Sequence, residues 1–205
     1  MNSDAWESVK DILFHERSET STPSFAGRVL VFVVLLVWGL KFVFTSVGSV
    51  YPMESLWHLV NLPFHEAGHL VFRPFGRLLH SLGGSLGQLL MPLICLGVFL
   101  LRTRDTFAAA FCLWWLGENF IDLAPYINDA RSLSLPLLGG NTGATAPYGF
   151  HDWEFILKET GLVRYDHLFA GISHGIGATL IILSLIWGGY LLWGEFVVLR
   201  DMRNR

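Results

Sequence analysis

The sequence predicts an all-α, polytopic membrane helix bundle of about five transmembrane helices. Three observations lead there. Of 205 residues, 52% are hydrophobic and only 15% charged, against about 25% charged in a typical soluble domain. The mean hydropathy is +0.47. Runs of roughly 20 mostly apolar residues recur along the chain, each long enough to cross a bilayer core. The expected setting is an integral, multi-pass membrane protein with the lipid bilayer as its first partner. The net charge of −3 gives no basic footprint for nucleic acid. Both cysteines, Cys95 and Cys112, lie in apolar runs and read as buried side chains rather than a disulfide.

Residues 1–25 form a polar N-terminal segment without the short apolar stretch of a signal peptide, so the first span is expected to be retained. A single membrane domain follows over 26–200, with an extramembrane loop and short helix at 130–166, and a tail at 201–205. The first span is 26–47, with Lys41 placed to snorkel. The second, 53–72, is weaker, because Glu54, His58, Asn61, His65, Glu66 and His69 interrupt it. The third, 78–101, has no Asp, Glu, Lys or Arg, and its "GGSLGQ" (83–88) is expected to pack closely on a neighbour. The fourth, 106–127, begins apolar and ends acidic in "GENFIDLAPYIND". The fifth is 167–193. Between them, "HDWEFILKETG" (151–161) reads as a short amphipathic helix, with Asp152 to cap its start and Gly161 to end it. Lys and Arg flank both sides of the spans, so charge does not choose an orientation. A re-entrant second segment would reconcile the two termini.

The chemistry concentrates in "NLPFHEAGHLVF" (61–72). Helical spacing puts His65 and His69 one turn apart on one face, where two imidazole nitrogens can bind one Zn²⁺. Glu66 points about a quarter turn away, the position of a base that takes a proton from metal-bound water. Ionisable groups in a membrane segment cost about 2.5–3.5 kcal/mol each, which argues against an idle cluster.

A catalytic zinc needs a third protein ligand and an open position. The acidic end of the fourth span offers one, since Glu118, Asp122 and Asp129 share a stripe within about 40°. Pro125 can unwind the helix end and free Asp129 to turn inward. The expected metal set is therefore His65, His69 and Asp129, held between the second and fourth spans. His151 and Asp152 compete, since both can bind zinc and follow a loop able to fold back. Asp129 can alternatively cap its helix or meet Arg131. His58 and Asn61 share the face of the His pair, either orienting the ligands or lying at an interface. His174, in "GISHGIG" (171–177), is expected to bond another helix, with Gly171 and Gly175 packing closely. His15, His80 and His167 are expected at interfaces or in water.

On these residues the chain resembles the site-2 protease family of intramembrane zinc metalloproteases. "HEAGH" (65–69) is similar to the family's zinc-binding helix. "GGSLGQLLMP" (83–92) is similar to its Gly-rich segment, and "NFIDLAPYIND" (119–129) to the segment whose aspartate is its third zinc ligand. The resemblance implies the ligand role for Asp129 and the base role for Glu66. Ala130 stands where the family has glycine, and no PDZ-like or CBS-like domain is present, which implies a divergent, minimal member.

The expected activity is peptide-bond hydrolysis in a membrane-protein or peptide substrate, with Zn²⁺ as cofactor and Glu66 as catalytic base. Two alternatives use the same residues. One is a membrane zinc hydrolase acting on a non-protein substrate such as a lipid amide. The other is a non-catalytic zinc-binding scaffold.

Overall fold

The computed structural model describes residues 3–14 and 21–204. Those residues form an all-α fold. Helix α1 (Ser3–Leu13) is followed by α2 (Thr22–Val43), α3 (Leu56–Phe72), α4 (Arg77–Val98), α5 (Thr106–Asn128), α6 (Asp152–Glu159) and α7 (Asp166–Arg203). Arg73–Phe75 makes a single tight turn between α3 and α4, and Phe99–Thr103 widens the end of α4. His15 lies outside the described residues.

Three helical stretches are long and apolar enough to cross a membrane: Thr22–Val43, Arg77–Thr103 and Val163–Arg203. The other two expected spans, α3 and α5, do not meet that measure. The reason is the polar stripe they share. α3 has 17 residues and carries Asn61, His65, Glu66 and His69. α5 has 23, but Glu118, Asn119 and Asp122 are buried on it.

α5 is the central helix, packed against α2, α4 and α7. It runs antiparallel to α7: Ser184 Oγ donates to Ala110 O and Ser173 Oγ to Phe120 O, each at 2.6 Å. The close approach there is made by Gly177, not by the expected Gly171 and Gly175. A Cβ on Gly117 would fall 2.7 Å from Gly177 O, whereas nothing lies within 4 Å of Gly171 or Gly175. Leu35, Phe42, Trp114, Ile121 and Ile181 form the core between α2, α5 and α7. At the far end of the bundle Arg28 pairs with Glu195 and lies 3.8 Å from Asp105, tying α2, α7 and the start of α5.

The path into α3 positions the site. α2 and α5 run the same way, and Phe42 near the end of α2 packs on Trp114, mid-way along α5. The chain then continues to the C-terminal end of α5, where Gly48 lies against Asn128. It doubles back, so that Trp57 at the start of α3 also packs on Trp114, with ring centroids 5.0 Å apart. α3 thus begins half-way along α5 and runs out again toward the end that carries α6. Ser55 caps its start, accepting from the His58 N–H at 3.2 Å.

α4 returns antiparallel to α3 and almost touches it. A Cβ on Gly87 would fall 2.8 Å from Gly68 Cα, and one on Gly83 would fall 2.7 Å from Phe72 Cβ. The close packing expected of "GGSLGQ" is therefore made against α3.

Candidate metal centre

His65 and His69 project from α3 toward Asp152, the first residue of α6. His65 Nε2 lies 3.2 Å and His69 Nε2 3.3 Å from the same oxygen, Asp152 Oδ2. Among the described residues these three side chains form the one group of ligating type whose donor atoms all lie within 4.8 Å of one another.

Each imidazole is fixed from behind. His65 Nδ1 faces Gln88 Oε1 at 2.7 Å. The amide of Gln88 is itself oriented, because its Nε2 donates to Asp122 Oδ2 at 3.4 Å. His69 Nδ1 donates to the His80 carbonyl at 2.8 Å, and His80 Nδ1 donates back to the His69 carbonyl at 2.9 Å. Both Nδ1 atoms therefore meet acceptors and carry the hydrogen, which leaves an electron pair on each Nε2.

That assignment tests the fit to a metal. With neutral imidazoles, two electron pairs and a carboxylate oxygen converge, a donor set that a bound metal ion, or protons on the imidazoles, would relieve. With zinc bonds of about 2.0–2.1 Å, tetrahedral ligand atoms stand about 3.3 Å apart. The two His–Asp separations match this. Gly84 leaves the space: a Cβ there would fall 2.6 Å from His69 Nε2 and closer still to His65 Nε2. By these two separations and this donor set, His65, His69 and Asp152 could hold a zinc ion.

Asp152 is placed by α6 and by α5. His151 caps α6, its Nδ1 accepting from the Glu154 N–H at 3.1 Å. The expected cap, Asp152, is instead the first helical residue, and its side chain turns to the His pair. Tyr126 of α5 accepts from the Asp152 N–H and donates to Asp152 Oδ2. The His151 ring is fully buried and packs on Tyr126, with centroids 4.3 Å apart. Burial pushes its imidazole pKa down.

Asp129 is not brought to the His pair. Pro125 does not unwind α5, which continues to Asn128, with the Asp129 N–H bonded to Pro125 O. The carboxylate instead organises the following turn. It accepts from Ser132 Oγ at 2.6 Å, from Ser134 N and Oγ at 2.9 Å, and from Leu135 N at 3.0 Å. Burial pushes its pKa up, but these donors outweigh that and hold it below the usual carboxylate value. Asp129 Oδ2 also lies 3.5 Å from His151 Nε2, and the carboxylate that meets His65 and His69 is Asp152. Arg131, the other expected neighbour, pairs with Asp166 at 2.7 Å.

The rest of the polar stripe lies deeper. Asn61 donates to Glu118 Oε2 at 2.9 Å and to Asp122 Oδ2 at 3.3 Å, and accepts from Trp115 Nε1 at 2.8 Å. His58 Nδ1 meets Asp122 Oδ1 at 2.9 Å. Asn61 and His58 thus reach the site through Asp122 and Gln88. His174 makes no bond to another helix: its Nε2 is buried without a partner among the described residues.

The cluster opens on a cavity of about 400 Å³. Glu66 is exposed and lines it, one residue from His65. Its outer rim is Pro136, Leu137, Leu138 and Phe150 from the loop before α6. Sequence reasoning missed Tyr126 and the His80 carbonyl, since neither phenol spacing nor a backbone acceptor leaves a motif. No family model, curated protein or solved structure matches this chain.

Proposed function

We propose that the chain is an intramembrane zinc metalloprotease that hydrolyses peptide bonds of membrane-associated proteins or peptides. The observation that carries this reading is the convergence of His65, His69 and Asp152, whose ligating atoms lie within 4.8 Å of one another, with Glu66 beside them on one cavity. Bound there, zinc supplies polarisation of a carbonyl and lowers the pKa of its water to about 7. Glu66 accepts the water's proton and returns it to the leaving amine. Gln88 and the His80 carbonyl hold the two imidazoles in the ligating tautomer.

In this reading α2, α4, α5 and α7 cross the bilayer, and α3 enters from the α6 side and returns to it. The long apolar helices support the crossings of α2, α4 and α7. The burial of α5 among them supports the fourth. Both termini then share one side, which reconciles the arginines near each. Kinship to the site-2 protease family rests on "HEAGH" and the Gly-rich segment packed on it. The third ligand comes from α6, downstream of the segment where that family supplies its aspartate.

Glu66→Gln tests the reading. The purified variant is expected to keep stoichiometric zinc and to lose at least about 100-fold in hydrolysis of a membrane peptide that the parent cleaves. Equal cleavage by the variant, or a parent protein that binds no zinc, would sink it.

A further inference from the structure

The candidate ligands and Glu66 occupy the outer half of the cavity. Toward its inner end, nearer the middle of α5, the cavity is also lined by Met53, Leu62, Leu123, His58 and Asp122. His58 stands seven residues before His65 on the same face of α3, about 10 Å further into the bundle. Beyond it, Trp57 packs on Trp38, Phe111 and Trp114 and closes the way. About 10 Å is the length of three extended residues.

The chemistry of that inner end is set by Asp122. His58 Nδ1 faces its two oxygens at 2.9 and 3.1 Å. A carboxylate only accepts, so Nδ1 carries the hydrogen and neutral His58 presents an acceptor at Nε2. Asp122 cannot swing away, because Asn61 and Gln88 also donate to it. Among the described residues Nε2 has no hydrogen-bond partner, and the imidazole lines the cavity. No Lys or Arg lines the cavity, whereas Glu66, Asp122 and Asp152 do. The inner end therefore disfavours an anion, such as a lipid phosphate, and suits a hydrogen-bond donor.

We propose that His58 is a substrate-binding residue whose Nε2 accepts an N–H of a peptide about three residues from the bond held at the metal. Leu62, Leu123 and Met53 form the apolar wall for the residues between. This rests on the metalloprotease reading above and adds its substrate class: a peptide with apolar residues next to the scissile bond and a free N–H beyond them.

The test uses full-length, zinc-loaded protein in detergent and three hydroxamates. Acetohydroxamate reaches only the metal. Two all-leucine tripeptide hydroxamates extend from the metal-binding group, one toward the N-terminal and one toward the C-terminal side. Zinc-loaded His58→Phe is expected to weaken at least one tripeptide about tenfold more than it weakens acetohydroxamate, the effect of one hydrogen bond. His58→Gln, which offers a carbonyl acceptor, is expected to restore most of the loss. N-methylation of the distal N–H is expected to weaken binding to the parent but not to His58→Phe. If His58→Phe binds both tripeptides as the parent does, the assignment of His58 is overturned. If acetohydroxamate does not bind the zinc-loaded parent, the metalloprotease reading itself fails, and the inference with it.

Discussion

Tyr126 holds Asp152 twice: its hydroxyl accepts from the Asp152 backbone N–H at 2.9 Å and donates to Oδ2 at 3.2 Å. That oxygen is the one that faces both histidines. Tyr126→Phe removes both bonds and keeps the ring packed on His151. Zinc affinity is expected to fall by about 10–100-fold in competition with a chelating dye, with helical content unchanged by circular dichroism. Unchanged affinity would remove Tyr126 from the site.

Asp152 and Asp129 separate ligand from scaffold. Asp152→Ala is expected to abolish stoichiometric zinc. Asp129→Asn is expected to keep zinc and lower the thermal midpoint, because it weakens the 132–135 turn. The folded pKa of Asp129 is depressed. Its contribution to stability is therefore present above the ordinary carboxylate pKa and is lost as pH falls through the folded value. Metal-free parent protein should lose midpoint as pH drops below about 5, and Asp129→Asn should flatten part of that loss. Zinc lost from Asp129→Asn and retained by Asp152→Ala would reverse the assignment.

Gly84 tests the space between the ligands. Gly84→Ala places a methyl group where the two Nε2 atoms converge. The imidazoles must turn aside, and zinc binding is expected to vanish. Gly97→Ala on the same helix, with nothing within 4 Å of the added carbon, is the control and should bind as the parent does.

Gln88 fixes the tautomer of His65. Gln88→Leu keeps the volume and removes the acceptor at Nδ1. An expected loss of zinc affinity of about tenfold or more, read by isothermal titration, would distinguish this role from mere packing. An unchanged affinity would show that Nδ1 needs no partner.

The three long apolar helices, α6 and the His pair were legible in the sequence because they follow local periodicity, whereas α1 lies in a segment that read only as polar. Apolar runs announce long helices, and His65 and His69 are one turn apart on one helix. The third carboxylate was not legible. Asp129 and Asp152 are each followed by suitable helix or turn residues, and nothing local tells a turn organiser from a ligand. The choice is made by Ser132, Ser134 and Leu135, whose donors engage Asp129, and by Tyr126, which turns Asp152 inward. The first contacts are side-chain and backbone donors of the following turn, which form no motif, and the second reaches across the 22 residues between Asp129 and Asp152. The half-length of α3 was equally hidden. Its polar residues weaken the hydropathy signal whether the segment crosses or returns, and only packing of Trp57 on Trp114 places its start.

The chain enters and leaves α3 from the end of the bundle that carries α6, and the loop residues Leu137, Leu138 and Phe150 rim the cavity on that same end. In the proposed reading, zinc therefore reaches the site from that end alone. In sealed vesicles, a chelator that cannot cross lipid should strip zinc only from molecules whose α6 faces it, so the fraction stripped reports the sense of insertion. In the proposed reading, the compartment on the α6 side, and not the one that holds the termini, supplies the zinc.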